Sequence, residues 1–116
     1  MTIPSDNDVQ VQLLRLLAST PEGCIYCQDA YRLLAKHFPG LTHDELRVPY
    51  QTSPSKWANA VQWAREHLAQ RHLVHRPTTG AGRGNWMLTE AGWTEARTAE
   101  LNDEVAERLL LELDVL

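Results

Sequence analysis

Two cysteines, one phenylalanine and no run of 18 apolar residues: this 116-residue sequence has little that cross-links and nothing that spans a bilayer. Two thiols cannot build a disulfide framework, and the start, MTIPSDNDVQ, is polar and acidic rather than basic then apolar. No secretory signal and no membrane span are expected, so a reducing cytoplasm is the expected setting. No Ser/His/Asp set and no paired-carboxylate arrangement stands out, so enzymatic activity is not expected. The stretch TTGAGRG is glycine-rich, yet it lacks the Lys-Ser/Thr of a phosphate-binding loop and falls between two strand-like segments instead of before a helix.

Cys24 and Cys27 form a C-x-x-C pair. A tetrahedral zinc site needs two further ligands, and His72 with His75 is the nearest-looking pair, spread across a helix end and a strand. In a redox pair the first cysteine opens a helix, whereas here the helix is expected after the second. No metal and no cofactor are predicted, and two buried or half-buried thiols are the expected reading.

What is present is one domain of ordinary soluble composition, 43% apolar and 22% charged, with a net charge of −4. That total argues against a polyanionic partner until it is divided. Residues 1–23 carry one Arg against three acids, residues 24–88 eight Lys/Arg against four acids, and residues 89–116 two Arg against eight acids. The charges are therefore −2, +4 and −6 in turn. A basic middle precedes an acidic tail, and local field matters more than the sum for binding a polyanion.

The apolar spacing of VQVQLLRLLA predicts a first helix capped by Ser5 or Asp6 and stopped at Thr20-Pro21-Glu22-Gly23. CIYC reads as a brief strand. DAYRLLAKHF reads as a helix that Pro39-Gly40 ends. Thr42-His43-Asp44-Glu45 is a capping box opening a short helix. Ser53-Pro54 then supplies a cap and a first-turn proline for a central helix over about 54–71. HLVHR and NWMLT read as the two strands of a hairpin, and the remainder is helical by composition. This order predicts an α+β, mainly α fold: a winged helix-turn-helix with a C-terminal extension helix. Its domain would occupy residues 1–97, with a helix for dimerisation or linkage over 98–116. In such folds the third helix commonly enters the major groove while the hairpin wing touches the backbone.

On the central helix, Trp57, Ala60, Val61, Ala64 and Leu68 share one face, the expected core stripe. Opposite lie Ser55, Asn59, Gln62 and Glu66, flanked by Lys56 and Trp63. Asn and Gln pair with adenine edges and Lys reaches guanine or phosphate, so Ser55, Lys56, Asn59 and Gln62 are the candidate groove contacts. The same side chains also suit plain solvation of an exposed face. For Trp63, packing against the wing is expected ahead of an aromatic surface offered to a base or a partner. The wing, residues 77–84, presents Thr78, Thr79 and Arg83, with His75 and Arg76 at its base. Thr79, Arg83, Arg76 and Arg47 are the candidate phosphate contacts.

The run W-A-N-A-V-Q-W-A, then Leu68, HLVHRP, a glycine-rich turn and W-M-L-T-E-A-G resembles the N-terminal domain of Mrr-type restriction-system proteins. YRLLAKHFPGLTHDEL upstream also fits, and the likeness spans roughly residues 8–97. The LTEAG ending is common to many winged helices, whereas W-x-N-x-V-x-W-A is more specific. The resemblance implies a winged-helix DNA-binding domain, which in longer members precedes a nuclease domain that cuts modified, usually methylated, DNA. It places Trp57, Val61 and Ala64 in the core and makes Asn59 a contact candidate. The next position, often basic in the family, is Ala60 here. Past Gly92 only one helix is expected, with no room for a nuclease site, so catalysis is not carried over.

That helix has Leu101, Val105, Leu109 and Leu113 at i, i+4 spacing, widened by Leu110, Leu111 and Leu116. The stripe either folds back on the first helix or pairs with a second copy, which would set two recognition helices on one duplex. The expected partner is double-stranded DNA, with a homodimer through this helix; whether a modified base is sensed stays open. A protein-interaction module and a dimeric transcriptional regulator are the alternatives.

Overall fold

The computed structural model describes residues 3–76 and 84–115. Helix α1 (Asp6–Ala18) is followed by strand β1 (Cys24–Tyr26), helices α2 (Cys27–Ala35), α3 (His43–Arg47) and α4 (Lys56–Gln70), strand β2 (Asn85–Met87) and helix α5 (Glu90–Val115). This is an α+β, mainly α arrangement, in the element order of a winged helix with a C-terminal extension.

Local chemistry sets most of the boundaries. Ser5 caps α1 by accepting from the Asp8 amide, and Thr42 and Glu45 close a full capping box on α3. The start of α4 differs from expectation. Its cap is Ser55, whose hydroxyl accepts from the Ala58 amide, and Pro54 stays outside the helix. Ser53 is engaged instead in a backbone bridge with Tyr50, made by reciprocal hydrogen bonds of 3.1 and 2.9 Å around Gln51 in a left-handed conformation. That bridge holds Ser53 out of a capping geometry.

The sheet also differs from a simple hairpin. β2 pairs antiparallel with β1, Ile25 opposite Trp86, while the HLVHR segment joins only through a bridge between Val74 and Leu88. His75 N–H donates to the Met87 carbonyl, so the hairpin expected from the sequence is present but short. Burial decides the pairing: Ile25 and Trp86 both point into the core. That core stacks Val9, Leu13 and Leu17 of α1, Leu34 of α2 and Trp57, Val61, Ala64 and Leu68 of α4. Trp57 anchors it, with its indole N–H on the Tyr31 carbonyl at 2.8 Å and its ring 5.5 Å from that of Phe38.

Two glycines permit close approaches. Gly23 has φ +64, and a Cβ there would lie 2.6 Å from the Trp93 ring, which packs on the core. A Cβ on Gly92 would lie 2.0 Å from the Leu73 carbonyl oxygen, so the first turn of α5 rests directly on the backbone after α4. Ala96 is buried against α1, and Arg71 pairs with Glu95 at 3.6 Å. The helix then continues unbroken to Val115, with Val105, Leu109, Leu110 and Leu111 55–64% exposed. These four leave α1 uncovered, so for them folding back is not what the structure has. The side chains of Leu101 and Leu113, and Leu116, lie outside the described residues.

Candidate nucleic-acid interface

The inward stripe of α4 is as expected, with Ala60 only partly buried. The outward stripe is not. Its open arc centres on Asn59, Trp63 and Gln70, with Lys56 beside them, about 60° round the helix from the expected arc at 100° per residue. Ser55 is therefore no groove contact: its side chain is 3% exposed and spent on the cap. Gln62 is turned toward α2, where its Nε2 donates to the Tyr31 hydroxyl at 2.8 Å and its Oε1 accepts from Ser53 Oγ at 3.0 Å. Both ends of that amide are engaged, and a bidentate contact to adenine would have to break both bonds. Ser53, itself 5% exposed, also reaches Asn59 Oδ1 at 3.3 Å.

Tyr31 closes this network. Burial pushes its hydroxyl above the ordinary tyrosine value, against the opposing effect of the Gln62 hydrogen bond. The fold therefore holds the protonated form more tightly than the unfolded chain does. That contribution is fully present below pH 10 and is lost as pH rises through the raised value. A spectrophotometric titration of tyrosinate should show a step above 10 that is missing from Tyr31→Phe. An unchanged titration curve in the variant would disprove the assignment.

Lys56 and Asn59 remain on the open arc, and Lys56 lies 5.4 Å from the centre of the Tyr50 ring. Trp63, expected to pack, is instead 55% exposed. Its one ring neighbour among the described residues is His67, 5.9 Å away. Arg76 is engaged near the end of α4: it donates to Glu66 at 2.8 Å, and that bond holds the Glu66 carboxyl below its ordinary value. A phosphate would compete with Glu66 for it. Thr78, Thr79 and Arg83 lie outside the described residues.

A cleft of about 470 Å³ opens beside the N-terminus of α4. Trp57, Ala58, Ala35 and Leu46 form its apolar walls, and Gln28, Asp29, Arg32 and Arg47 its polar rim. The structure thus brings Arg47 of α3 together with Arg32 of α2, a residue the sequence reading did not single out. Asp29 pairs with Arg32 at 3.4 Å, both side chains being more than half exposed, which is worth little in water. The only sequence signal for Arg32 was the basic middle itself, because the pairing of α2 with α3 across the cleft is a tertiary fact. Among the described residues no group of His, Cys, Asp or Glu is arranged to hold a metal ion, and Cys24 and Cys27 are free thiols. No helix of the described residues is long and apolar enough to cross a membrane.

Comparison with known proteins adds one finding. No curated protein and no solved structure matches the chain. The family model of the Mrr N-terminal domain matches residues 9–98, and the chain belongs to that family.

Proposed function

We propose that this Mrr N-terminal domain binds double-stranded DNA and does no chemistry on it, hydrolysis belonging to a separate nuclease domain or partner. The open arc of α4 would lie in the major groove with Lys56 and Asn59 at base edges. Arg32 and Arg47 would grip phosphate at the cleft, and the 77–84 wing, through Thr79 and Arg83, the backbone alongside. Arg76 joins them on exchanging Glu66 for phosphate. The observation that carries this reading is the meeting of Arg32 and Arg47 at the N-terminus of the helix whose open arc bears Lys56 and Asn59. That helix end adds a positive dipole end. Free thiols suit a cytoplasmic setting.

The exposed Val105, Leu109, Leu110 and Leu111 favour a second element of the reading: residues 98–116 as a dimerisation helix appended to a 1–97 binding domain. One experiment addresses both. Fluorescence anisotropy of a labelled mixed-sequence duplex, titrated at about 50 and 200 mM salt, should show saturable binding that falls steeply between the two. Light scattering on the protein without duplex should give twice the chain mass, and the mass of a single truncated chain once residues 100–116 are removed. Folded protein that binds no duplex at the lower salt would move the function to a protein partner on the leucine face.

A further inference from the structure

The open arc of α4 is not uniformly polar. Trp63 stands at its middle, 55% exposed, with the partly buried Ala60 one turn toward the N-terminus. An indole there leaves a large apolar surface in water, which adds nothing to the stability of the isolated fold. It is also held in place. The His67 ring lies 5.9 Å away, tilted by 32°, and His67 Nδ1 is 2.8 Å from the Asp6 carboxylate of α1. Gln10 hydrogen-bonds the same carboxylate. The tryptophan is therefore backed by a ring that is itself tethered to the neighbouring helix.

Within a major groove the choice of target is narrow. Base-pair edges display hydrogen-bond donors and acceptors there, together with one apolar group, the C5-methyl of thymine. We propose that Trp63, with Ala60 beside it, reads thymine C5-methyl groups in the major groove. The proposal rests on the reading of the chain as a duplex-DNA binder. Backing by His67 favours contact with an edge over insertion, since an indole entering the base stack would have to leave the histidine. Lys56 and Asn59, on the same arc, then supply the polar contacts on either side of the methyl group. Burying a methyl-sized patch on an aromatic ring corresponds to roughly a three- to tenfold difference in affinity.

The test begins with selection of preferred duplexes from a pool with a random core. Each thymidine of the enriched sequence is then replaced in turn by deoxyuridine, which pairs identically but lacks the methyl group. Wild-type protein should lose roughly three- to tenfold in affinity at one or two positions. Trp63→Ala should bind the thymine and uracil forms equally, and Trp63→Phe should keep part of the difference. The side chain is exposed, so the variants should retain their melting temperatures, read by circular dichroism. An enriched set without a common thymine, wild-type protein indifferent to uracil, or discrimination that survives in Trp63→Ala would each overturn the proposal. Failure of the wild-type chain to bind any duplex would instead overturn the DNA-binding reading beneath it.

Discussion

Gly92→Ala should cost about 3–5 kcal/mol of stability, placing it among the most damaging single substitutions. The added methyl would meet the Leu73 carbonyl oxygen at 2.0 Å and the Leu88 side chain at 2.9 Å. The first of these is backbone and cannot rotate away. That carbonyl already accepts from the Thr89 amide at 3.1 Å, and the Thr89 hydroxyl accepts from the Gly92 amide at 3.0 Å, so α5 is fastened where it must retreat. Moving the helix off this seat would also lift Trp93 and Ala96 from the core. Against a total stability of about 5–15 kcal/mol for a small domain, much of the folded population is at risk. Gly40→Ala is the control, because a Cβ there meets nothing within 4 Å. Thermal melting of the two proteins side by side decides the matter, and similar midpoints would show that the close approach is not what fixes the glycine.

The second large effect concerns binding. Replacing both Arg32 and Arg47 by Glu takes two cations from the rim of the cleft and puts two anions in their place. Affinity for duplex DNA should fall on the order of 100-fold on every sequence, and the slope of log affinity against log salt should flatten by about 2. Both side chains are exposed, so the fold should survive, and an unchanged circular dichroism spectrum guards against a trivial loss. Asn59→Ala, by contrast, should alter preference among sequences more than overall affinity. Unchanged binding by the double variant would remove the cleft from the interface.

These two predictions draw on different levels of legibility. The cap at Thr42 and the Trp57–Leu68 stripe were plain in the sequence, and the first cap was narrowed to Ser5 or Asp6, because a cap is decided within a few residues and a stripe within one helix. The rotation of the open arc was not. Gln62 looks like a surface residue by composition, and only its partners in the fold, Ser53 and Tyr31, turn it aside, while Ser55 is withdrawn by its own cap on the Ala58 amide. The meeting of Arg32 with Arg47 and the pairing of β1 with β2 were likewise invisible, since each joins segments that local pattern does not connect. The sequence pointed to Ser53 and Pro54 as the start of α4, but the Tyr50–Ser53 bridge engages Ser53 and leaves the cap to Ser55.

The unbroken run of α5 from Glu90 to Val115 has a mechanical consequence. With no hinge along the helix, the leucine patch has a compass bearing relative to α4, fixed by the seat at Gly92. Each added residue would advance that bearing by about 100° and the reach by about 1.5 Å. Two residues inserted near Ala99 would swing the patch to nearly the opposite side, whereas seven would restore its bearing to within about 20° at a reach roughly 10 Å longer. Length and direction are thus coupled like pitch and angle on a screw, and whatever meets the leucines is told where the open arc of α4 lies.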